Sequence, residues 1–534
     1  MEGVKLIERE GTYQPAFSNR DCEHPMSRRS WFFLLTAIIV LFAALVQAEE
    51  PAHIDLPTLE KAVQEAIARA EPASACILVS RSEDYAALGF GPPSEKPGDL
   101  GDFKIPGVSD QENATRPAID ADRLKRLDLA DPGTVPESFA SGIVIDPSGL
   151  ILTNYHVVRD ATKVYVRLPG GKGSYADIHA ADWRSDLAVL RIQTKQADLK
   201  VAPRGDAGRL KKGQFILTVA NPYVAGFQDS SPSASWGIIS NLRRRAGIPG
   251  HEDDRIKPLQ EYATLIQVDS RQGVGVSGAG LIDLKGQLVG LTSAQAGIAG
   301  GEAPAGFAVP LDADMWRIVD KLKAGEEVEY GFIGVQMNRN PNFRNPNGVL
   351  IDSAVGGSGA DQLDKDGEKK IRGGDLLAKI DGVPLYGPDD LFAALGTKLA
   401  GASVKIELVR SAVRRETTVK LAKLYTPGKS IVTHKPPAIG GIRVDYASVL
   451  YLRNPPPSLE AARIPPGVGI REVLPGSPAQ AAKLQADTMI TRVNGQNVNT
   501  PAEYYDAAGK ASGVLTLQVT KPEGGSEEVA LKLR

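Results

Sequence analysis

Three polar residues occur where a chain could carry out acyl transfer. Ser277 lies in the glycine-rich stretch Gly273–Leu281, and His156 and Asp186 each adjoin a strand-like apolar run. A serine hydroxyl is a weak nucleophile until a neutral imidazole accepts its proton, and the imidazole needs a carboxylate that fixes its tautomer and stabilises its cation. These residue types therefore predict a triad with Ser277 as nucleophile, His156 as general base and Asp186 as the group that orients the imidazole.

The glycines around Ser277 add a second feature. Because glycine adopts backbone conformations closed to other residues, the N–H groups of Gly275 and Ser277 can point the same way, as an oxyanion hole requires. Taken singly, the signals are weak. Ser277 alone is typical of a polar β-turn, Asp186 of an Asx-turn or strand edge, and His156 of a structural histidine. Their occurrence together, each at the edge of a β segment, favours catalysis.

The elements that must position these residues are mainly β. Between Ser141 and Pro310 short apolar runs recur at roughly regular spacing with turn signals between them, which predicts an all-β barrel or sandwich. Apolar residues at helical spacing predict one helix before this region, over Leu56–Ala70, and another after it, over Leu311–Ala324. We expect the second helix, which ends at Gly325, to close the region.

Four stretches resemble successive landmarks of the HtrA/Deg family of serine proteases, in the same order and context. They are ASGIVIDPSGLILTNYHVV, RSDLAVLRI, IQVDSRQGVGVSGAGLIDLKGQLVGLTSA and PAGFAVP. The resemblance implies two six-stranded barrels, with His156 and Asp186 in the first, Ser277 in the second and the site in the cleft between them. It also implies an ATP-independent endopeptidase that degrades unfolded or damaged proteins and assembles as a homotrimer or a multiple of one.

The serine loop departs from the family's G-N-S-G-G-P pattern. Val276 stands in place of the Asn, Ala279 in place of the second Gly and Gly280 in place of the Pro. The oxyanion hole uses backbone N–H groups, so Val276 need not abolish it, but a left-handed backbone at Ala279 would cost on the order of 1 kcal/mol. A catalytically silent peptide-binding chaperone or scaffold is therefore the alternative function.

The lining before Ser277 and along Leu291–Ala294 is small and apolar, so the resemblance implies cleavage after residues such as Val or Ala.

An internal repeat follows the second predicted helix. Gly374–Gly382 in the first copy matches Asp487–Gly495 in the second, and each leads into a helix-like segment and an alternating strand. The copies resemble PDZ domains, which add an extended peptide to a sheet edge and receive its carboxylate on the backbone N–H groups of a glycine-containing loop. The alternative is two β-rich modules that only pack on the protease. The candidate peptide-binding residues are Gly331, Phe332, Ile333 and Gly334 in the first copy and Gly440, Gly441, Ile442 and Arg443 in the second.

The start of the chain has the features of an export signal. Basic residues after Met26, the apolar run Trp31–Val46 and the small residues around Ala48 occur in signal-peptide order. We expect translation to start at Met26, cleavage after Ala48, and a periplasmic or secreted protein. The alternative is an uncleaved anchor at residues 26–48, which would make the protein a membrane-tethered stress sensor.

Together these features predict a mainly β protein, with a trypsin-like double β-barrel protease followed by two PDZ-like α+β domains. The predicted segments are 1–25, an upstream extension foreign to the natural protein; 26–48, the signal peptide; 49–325, the protease, with a long insertion at 81–137; 329–424, the first PDZ-like domain; 425–438, a linker; and 439–534, the second PDZ-like domain.

Composition limits the classes of partner and cofactor. With 62 Lys and Arg against 64 Asp and Glu, the net charge of -2 gives no electrostatic basis for binding nucleic acid or anionic membranes. Cleavage of the signal would leave Cys76 without Cys22, so we predict a small buried core residue and no intramolecular disulfide. No C-x-x-C or H-E-x-x-H motif occurs, so no metal or cofactor is predicted.

The expected partners are unfolded polypeptides, exposed C-terminal peptides and further copies of the chain. Arg243–Arg245 is predicted to be a solvated, charged turn.

Overall fold

The computed structural model describes most of the chain beyond residue 54. The chain forms two compact units, Met1–Leu59 and Glu60–Arg534, and the first is described only at residues 55–59. The predicted upstream extension, the predicted signal peptide and residues 83–126 of the predicted insertion lie outside the described residues. Within the described part of the chain, no helix combines the length and apolar character needed to cross a membrane. The described residues are 55–82, 127–196, 198–222, 230–245, 258–262, 264–270, 272–294, 306–338, 347–428, 430–453, 463–520 and 525–533.

A first closed barrel lies at the N-terminal end of the described fold. Its strands pair in the order β5-β4-β1-β2-β3-β6, and pairing of β5 with β6 closes the sheet. The predicted helix α1 (Leu56–Ala70) is observed before the barrel, and the short helix α2 (Tyr155–Val158) follows β3. Cys76 lies buried on β1, as predicted. The strands are β1 (Ser74–Ser80), β2 (Ser138–Asp146), β3 (Leu150–Asn154), β4 (Lys163–Leu168), β5 (Lys172–Asp182) and β6 (Leu187–Ile192).

A second closed barrel follows, with strand order β10-β11-β12-β9-β8-β7. Its interior is filled by aliphatic side chains, among them Ile216, Ile239, Ile266 and Leu281. The expectation of two six-stranded barrels is confirmed. The strands are β7 (Phe215–Ala220), β8 (Ser233–Arg244), β9 (Leu265–Val268), β10 (Gly280–Asp283), β11 (Leu288–Thr292) and β12 (Gly306–Pro310).

Helix α3 (Ala313–Lys323) leaves the second barrel and packs back on the first, whose core it shares. Asp312 caps its start, because Oδ1 of that residue accepts the Met315 N–H at 2.9 Å. At its other end Lys323 pairs with Asp146 of β2 at 2.7 Å. The predicted closing helix is therefore observed, and its last turn is fastened to the first barrel.

The remaining chain forms two modules with the same strand arrangement. The first has the order β14-β15-β16-β18-β19 with β17 on β16, and the second has the order β22-β23-β24-β26-β27 with β25 on β24. Each has its own apolar core and one helix before its last two long strands. The prediction of two PDZ-like α+β units after the barrels is confirmed at the level of the fold.

The first module contains β13 (Gly331–Phe332), β14 (Val335–Met337), β15 (Val349–Ala354), β16 (Leu376–Ile380), β17 (Val383–Pro384), α4 (Pro388–Gly396), β18 (Ser403–Arg410), β19 (Val413–Lys420) and β20 (Ala422–Lys423). The second contains β22 (Ile442–Tyr446), α5 (Ala447–Arg453), β23 (Val468–Val473), α6 (Pro478–Ala481), β24 (Met489–Val493), β25 (Gln496–Asn497), α7 (Pro501–Gly509), β26 (Val514–Thr520) and β27 (Ser526–Lys532).

The predicted linker holds a strand that the sequence did not reveal. Residues Ile431–Val432 form β21, which pairs with β5 of the first barrel. Beside it Thr433 Oγ1 lies 2.9 Å from Nδ1 of the buried His179. The linker is thus an added strand of the protease barrel and not a free connection.

A buried cluster of charges joins the two modules. The ammonium group of Lys423, which is 4% exposed, lies 3.0–3.1 Å from the carboxylates of Glu327, Glu329 and Asp445. Burial alone would lower the pKa of Lys423, but the three carboxylates outweigh it and hold that pKa above its ordinary value. The lysine therefore keeps its charge, and Asp445 ties β22 of the second module to the first.

The first module also contacts the protease through α4. The Phe392 ring stacks on that of Tyr262 with the ring centres 5.0 Å apart. Arg243 pairs with Asp390 at 2.7 Å, and Arg245 pairs with Asp389. Two of the three arginines predicted to form a solvated turn are therefore half-exposed ion-pair partners of α4.

Candidate active site

Two loops of the first barrel bring His156 to Asp186. His156 lies on α2, directly after β3, and Asp186 lies in the turn between β5 and β6. The Asp186 main-chain carbonyl accepts both the Tyr155 N–H at 3.0 Å and the Asn154 side-chain amide at 3.1 Å. Asp186 has a φ of 57°, in the left-handed region that aspartate enters more readily than most residues. These contacts of the Asp186 main chain hold the turn in place without any contribution from the triad side chains.

The structure brings the three predicted catalytic side chains together. His156 Nδ1 lies 2.9 Å from Oδ1 and 2.8 Å from Oδ2 of Asp186, and His156 Nε2 lies 3.1 Å from Ser277 Oγ. Because the carboxylate accepts the Nδ1 proton, the neutral ring presents a lone pair on Nε2 to the serine hydroxyl. This is the arrangement in which the serine proton can pass to the imidazole.

The Asp186 carboxylate has two further donors. The His156 main-chain N–H donates to Oδ1 at 3.0 Å, and the Gln260 side-chain amide donates to Oδ2 at 2.8 Å. Gln260 is 2% exposed and lies on the 3₁₀ turn Leu259–Tyr262 of the second barrel. Sequence reasoning missed this residue, because no spacing rule connects positions that are 74 residues apart.

The loop that holds Ser277 has two left-handed positions, and both are glycine. Gly275 has a φ of 87° and Gly278 a φ of 82°. A β-carbon at Gly278 would lie 2.1 Å from the Ser141 carbonyl oxygen, and one at Gly275 would lie 2.6 Å from the Phe139 ring. The Ser277 carbonyl accepts the Ser141 N–H at 2.8 Å, which fastens the loop to the first barrel.

The two predicted oxyanion-hole donors remain available. Among the described residues, neither the Gly275 N–H nor the Ser277 N–H has a hydrogen-bond acceptor. The Ser277 hydroxyl oxygen accepts the Ala294 N–H at 3.1 Å, so its own proton is directed to His156. Hydrogen-bond donors beside an activated hydroxyl are what a tetrahedral oxyanion requires.

The departure at Ala279 does not strain the loop. Its φ lies outside the left-handed region, and its side chain is fully buried. The Ala279 N–H donates to Thr292 Oγ1 at 3.1 Å, and Thr292 Oγ1 donates to the Val276 carbonyl at 2.5 Å. The condition under which alanine would be costly, a left-handed backbone at this position, is therefore not met.

A glutamine side chain lies near the predicted specificity lining. The Phe307 N–H donates to Gln272 Oε1 at 3.2 Å, and a β-carbon on Gly306 would lie 2.6 Å from Gln272 Cδ. The Phe307 carbonyl in turn accepts the Ser293 N–H at 2.9 Å. Gln272 therefore adds a polar amide to a lining that the sequence predicted to be small and apolar.

The two candidate peptide-binding loops are not equivalent in the structure. Gly334 and Gly441 are the matching positions, because each has a positive φ and each would place a β-carbon 2.1 Å from a serine Cβ, that of Ser358 or Ser477. Gly331 and Phe332 form β13, and Ile333 precedes Gly334. In the second module Gly440 precedes Gly441, whereas Ile442 and Arg443 already belong to β22. The predicted second loop is therefore displaced relative to the first, toward the edge strand.

Comparison with known proteins places the chain in a family. The family profile described as Trypsin-like peptidase domain matches residues 140–291. Serine protease HhoA of Synechocystis sp. is 33% identical over 302 residues, which cover 54% of this chain and 71% of that protein. The chain belongs to the HtrA/Deg family of serine proteases. It is a serine endopeptidase of that type and, as such, acts on polypeptides.

Other HtrA/Deg relatives match over longer parts of the chain. A periplasmic serine endoprotease described as DegP-like, from Pseudomonas savastanoi pv. phaseolicola, is 26% identical over 500 residues, covering 90% of this chain and 93% of the relative. The periplasmic pH-dependent serine endoprotease DegQ of Escherichia coli is 28% identical over 419 residues, covering 76% of this chain and 83% of the relative. The family profile described as PDZ domain matches residues 457–520, in the second module. The first module has the same strand order without such a match.

Proposed function

We propose that this HtrA/Deg protein is an exported, ATP-independent endopeptidase that cleaves unfolded polypeptides through an acyl-enzyme on Ser277. The observation that carries the proposal is the continuous set of contacts from Asp186 through His156 to Ser277, at 2.8 Å and 3.1 Å. Two backbone N–H groups of the same loop, those of Gly275 and Ser277, have no acceptor among the described residues. Each part is needed for acyl transfer, and each is supplied by this chain alone.

The geometry supports the following sequence of steps. Ser277 Oγ attacks the scissile carbonyl carbon while His156 Nε2 takes the hydroxyl proton, and the oxyanion is stabilised by the N–H groups of Gly275 and Ser277. The C–N bond then breaks as His156 returns the proton to the leaving amine. A water molecule, deprotonated by His156, attacks the ester, and release of the acid restores the Ser277 hydroxyl. Asp186 stays ionised throughout and stabilises the imidazolium.

Gln272 supports a preference for small residues before the scissile bond. Its amide lies against Gly306, where even a methyl group would collide with it. A side chain of Val or Ala size needs less room than a long or aromatic one. We therefore propose cleavage after small aliphatic residues, with Gln272 as the residue that limits the size accepted.

The PDZ-like modules support capture of extended or C-terminal peptide segments. In each module the first strand after the glycine loop, β14 or β22, lies at the edge of the sheet. An edge strand offers unpaired backbone groups to an added strand. We propose that these edges bind substrate or activating peptides and that the protein works as a homo-oligomer. Two of its relatives are named as periplasmic, which supports export to the same compartment.

The alternative of a catalytically silent chaperone loses its main support. It depended on the departures at Val276, Ala279 and Gly280, of which Ala279 was expected to strain the backbone most, and Ala279 occupies an ordinary backbone conformation. No other observation among the described residues favours it over proteolysis.

Digestion of β-casein and of a stable folded protein by the purified chain tests the proposal. The Ser277→Ala variant is the matched control, because it lacks only the hydroxyl. Fragmentation of casein by the parent, none by the variant and none of the folded protein is expected. Absence of cleavage by the parent, also in the presence of C-terminal peptides, would favour the chaperone.

A further inference from the structure

The triad carboxylate is held from the second barrel as well as from the first. Asp186 and His156 belong to the first barrel, whereas Gln260 lies between β8 and β9 of the second. The Gln260 amide reaches across and donates to Asp186 Oδ2 at 2.8 Å. This hydrogen bond joins a catalytic side chain of one barrel to a buried side chain of the other.

We propose that Gln260 is a positioning residue for the triad. Its side chain is 2% exposed and donates to Asp186, so it acts through that carboxylate. The inference rests on the proposed roles of Ser277, His156 and Asp186. The His156 main-chain N–H donates to Oδ1 and the Gln260 amide donates to Oδ2, so both carboxylate oxygens are held. The plane of the carboxylate, and with it the direction of its hydrogen bond to the imidazole, is therefore set before substrate binds.

The position of Gln260 is itself well determined. The Leu259 N–H donates to the Arg184 carbonyl at 2.8 Å, and the Thr264 hydroxyl donates to the Leu259 carbonyl at 2.6 Å. The Tyr262 ring stacks on Phe392 at the end of the same turn. These contacts fix the backbone that carries Gln260, and burial of its side chain to 2% exposure limits the freedom that is lost when it donates to Asp186.

The chemistry of the site requires a neutral donor here. Asp186 is an acceptor on both oxygens, so only the Nε2 end of the glutamine amide can face it. A carboxylate at this position would place two like charges in contact, and an aliphatic side chain would leave Oδ2 buried with one donor fewer. Glutamine stabilises the anion without adding charge to the triad.

Removal of the Gln260 donor is expected to change the pH dependence of catalysis, which a general loss of stability would not do. Without the Gln260 bond, more of the negative charge of Asp186 acts on His156, and the imidazolium is favoured over the neutral ring that takes the serine proton. The acid limb of the pH profile of kcat/KM therefore moves to higher pH. A variant that is merely less well folded would lower the amount of active enzyme and leave the position of that limb unchanged.

The test uses Gln260→Leu and Gln260→Met in the full chain. Leucine is close to glutamine in size, and methionine keeps its length and flexibility in case leucine packs badly. Gln193→Leu is the matched control, because Gln193 donates to Asp177 at 3.0 Å on an exposed part of the same protein. Peptide hydrolysis is measured from pH 5 to 9, with the concentration of active sites determined by fluorophosphonate titration.

Both Gln260 variants are expected to lose about 10–100-fold in kcat per active site, the range for one hydrogen bond to a charged group. Their KM is expected to stay nearly unchanged, and the acid limb of the pH profile of kcat/KM is expected to move to higher pH. Gln193→Leu is expected to match the parent in both. Parent-like kcat and pH profile in the two Gln260 variants would overturn the inference. If the parent chain itself showed no Ser277-dependent hydrolysis, the proposed function would be overturned instead. Failure of the inference and failure of the proposed function are therefore distinguishable.

Discussion

Replacing Gly275 by alanine tests the geometry of the oxyanion hole. At its φ of 87° an L-residue is disfavoured by about 1–2 kcal/mol. In addition, the new β-carbon would lie 2.6 and 2.7 Å from two carbons of the Phe139 ring and 2.8 Å from Pro222 Cβ. Normal carbon–carbon contacts are about 3.5–4.0 Å, so the loop must move by roughly an ångström.

A displacement of that size removes the Gly275 N–H from the oxyanion. Oxyanion donors act at about 2.7–3.1 Å, and loss of one costs about 10²–10³ in kcat. Gly275→Ala is therefore expected to lower kcat by that factor, while thermal unfolding shows a loss of about 1–2 kcal/mol, too little to unfold the protein.

Gly273→Ala is the matched control in the same loop. Gly273 lies outside the left-handed region, and no atom of the described residues lies within 4 Å of where its β-carbon would be. Its kcat is expected to stay within a few-fold of the parent. Steady-state hydrolysis of a peptide substrate by both variants decides the matter. Near-parental kcat in Gly275→Ala, or equal damage in Gly273→Ala, would refute the assignment of the Gly275 N–H to the oxyanion hole.

Three further predictions concern regions away from the serine loop. Burial, and then the charge of Arg191, lower the pKa of His179 below its usual value of about 6.5, so the unfolded chain binds a proton that the folded chain does not. Stability is expected to fall as pH drops below about 6.5, and His179→Gln should flatten that slope in urea unfolding; an unchanged slope would contradict it. Lys423→Met would remove the cation shared by the buried Asp445 and the less buried Glu327 and Glu329, while Arg471 stays beside Asp445 and Glu327; it is expected to cost about 1–3 kcal/mol, measured by the unfolding midpoint. Gly334→Ala would place a methyl group on Ser358 and is expected to abolish binding of a C-terminal peptide to the first module in fluorescence anisotropy; unchanged binding would contradict the assignment of this loop.

The three residues that the sequence predicted for the triad share a local signature. His156, Asp186 and Ser277 each lie in a short motif beside a strand, and the two barrels follow from alternating apolar runs and turns. Such signals depend on neighbours in the chain. The structure brings the three side chains together as the motif order predicts.

The features that the sequence missed depend on contacts between distant segments. Gln260 meets Asp186 only because the barrels pack together, and β21 forms only because an edge of β5 lies beside the predicted linker. The backbone strain expected at Ala279 is absent, because the left-handed positions of the loop are Gly275 and Gly278. The order of residues in a loop does not by itself show which positions are left-handed.

Labelling of the intact chain with a biotinylated fluorophosphonate tests most directly whether Ser277 is an activated nucleophile. The probe reacts with a serine only when a neighbouring base accepts its proton. Peptide mass spectrometry is expected to find the adduct on Ser277 in the parent, and none in the His156→Ala variant. An unlabelled parent, or equal labelling when His156 is absent, would contradict the catalytic role assigned to this site.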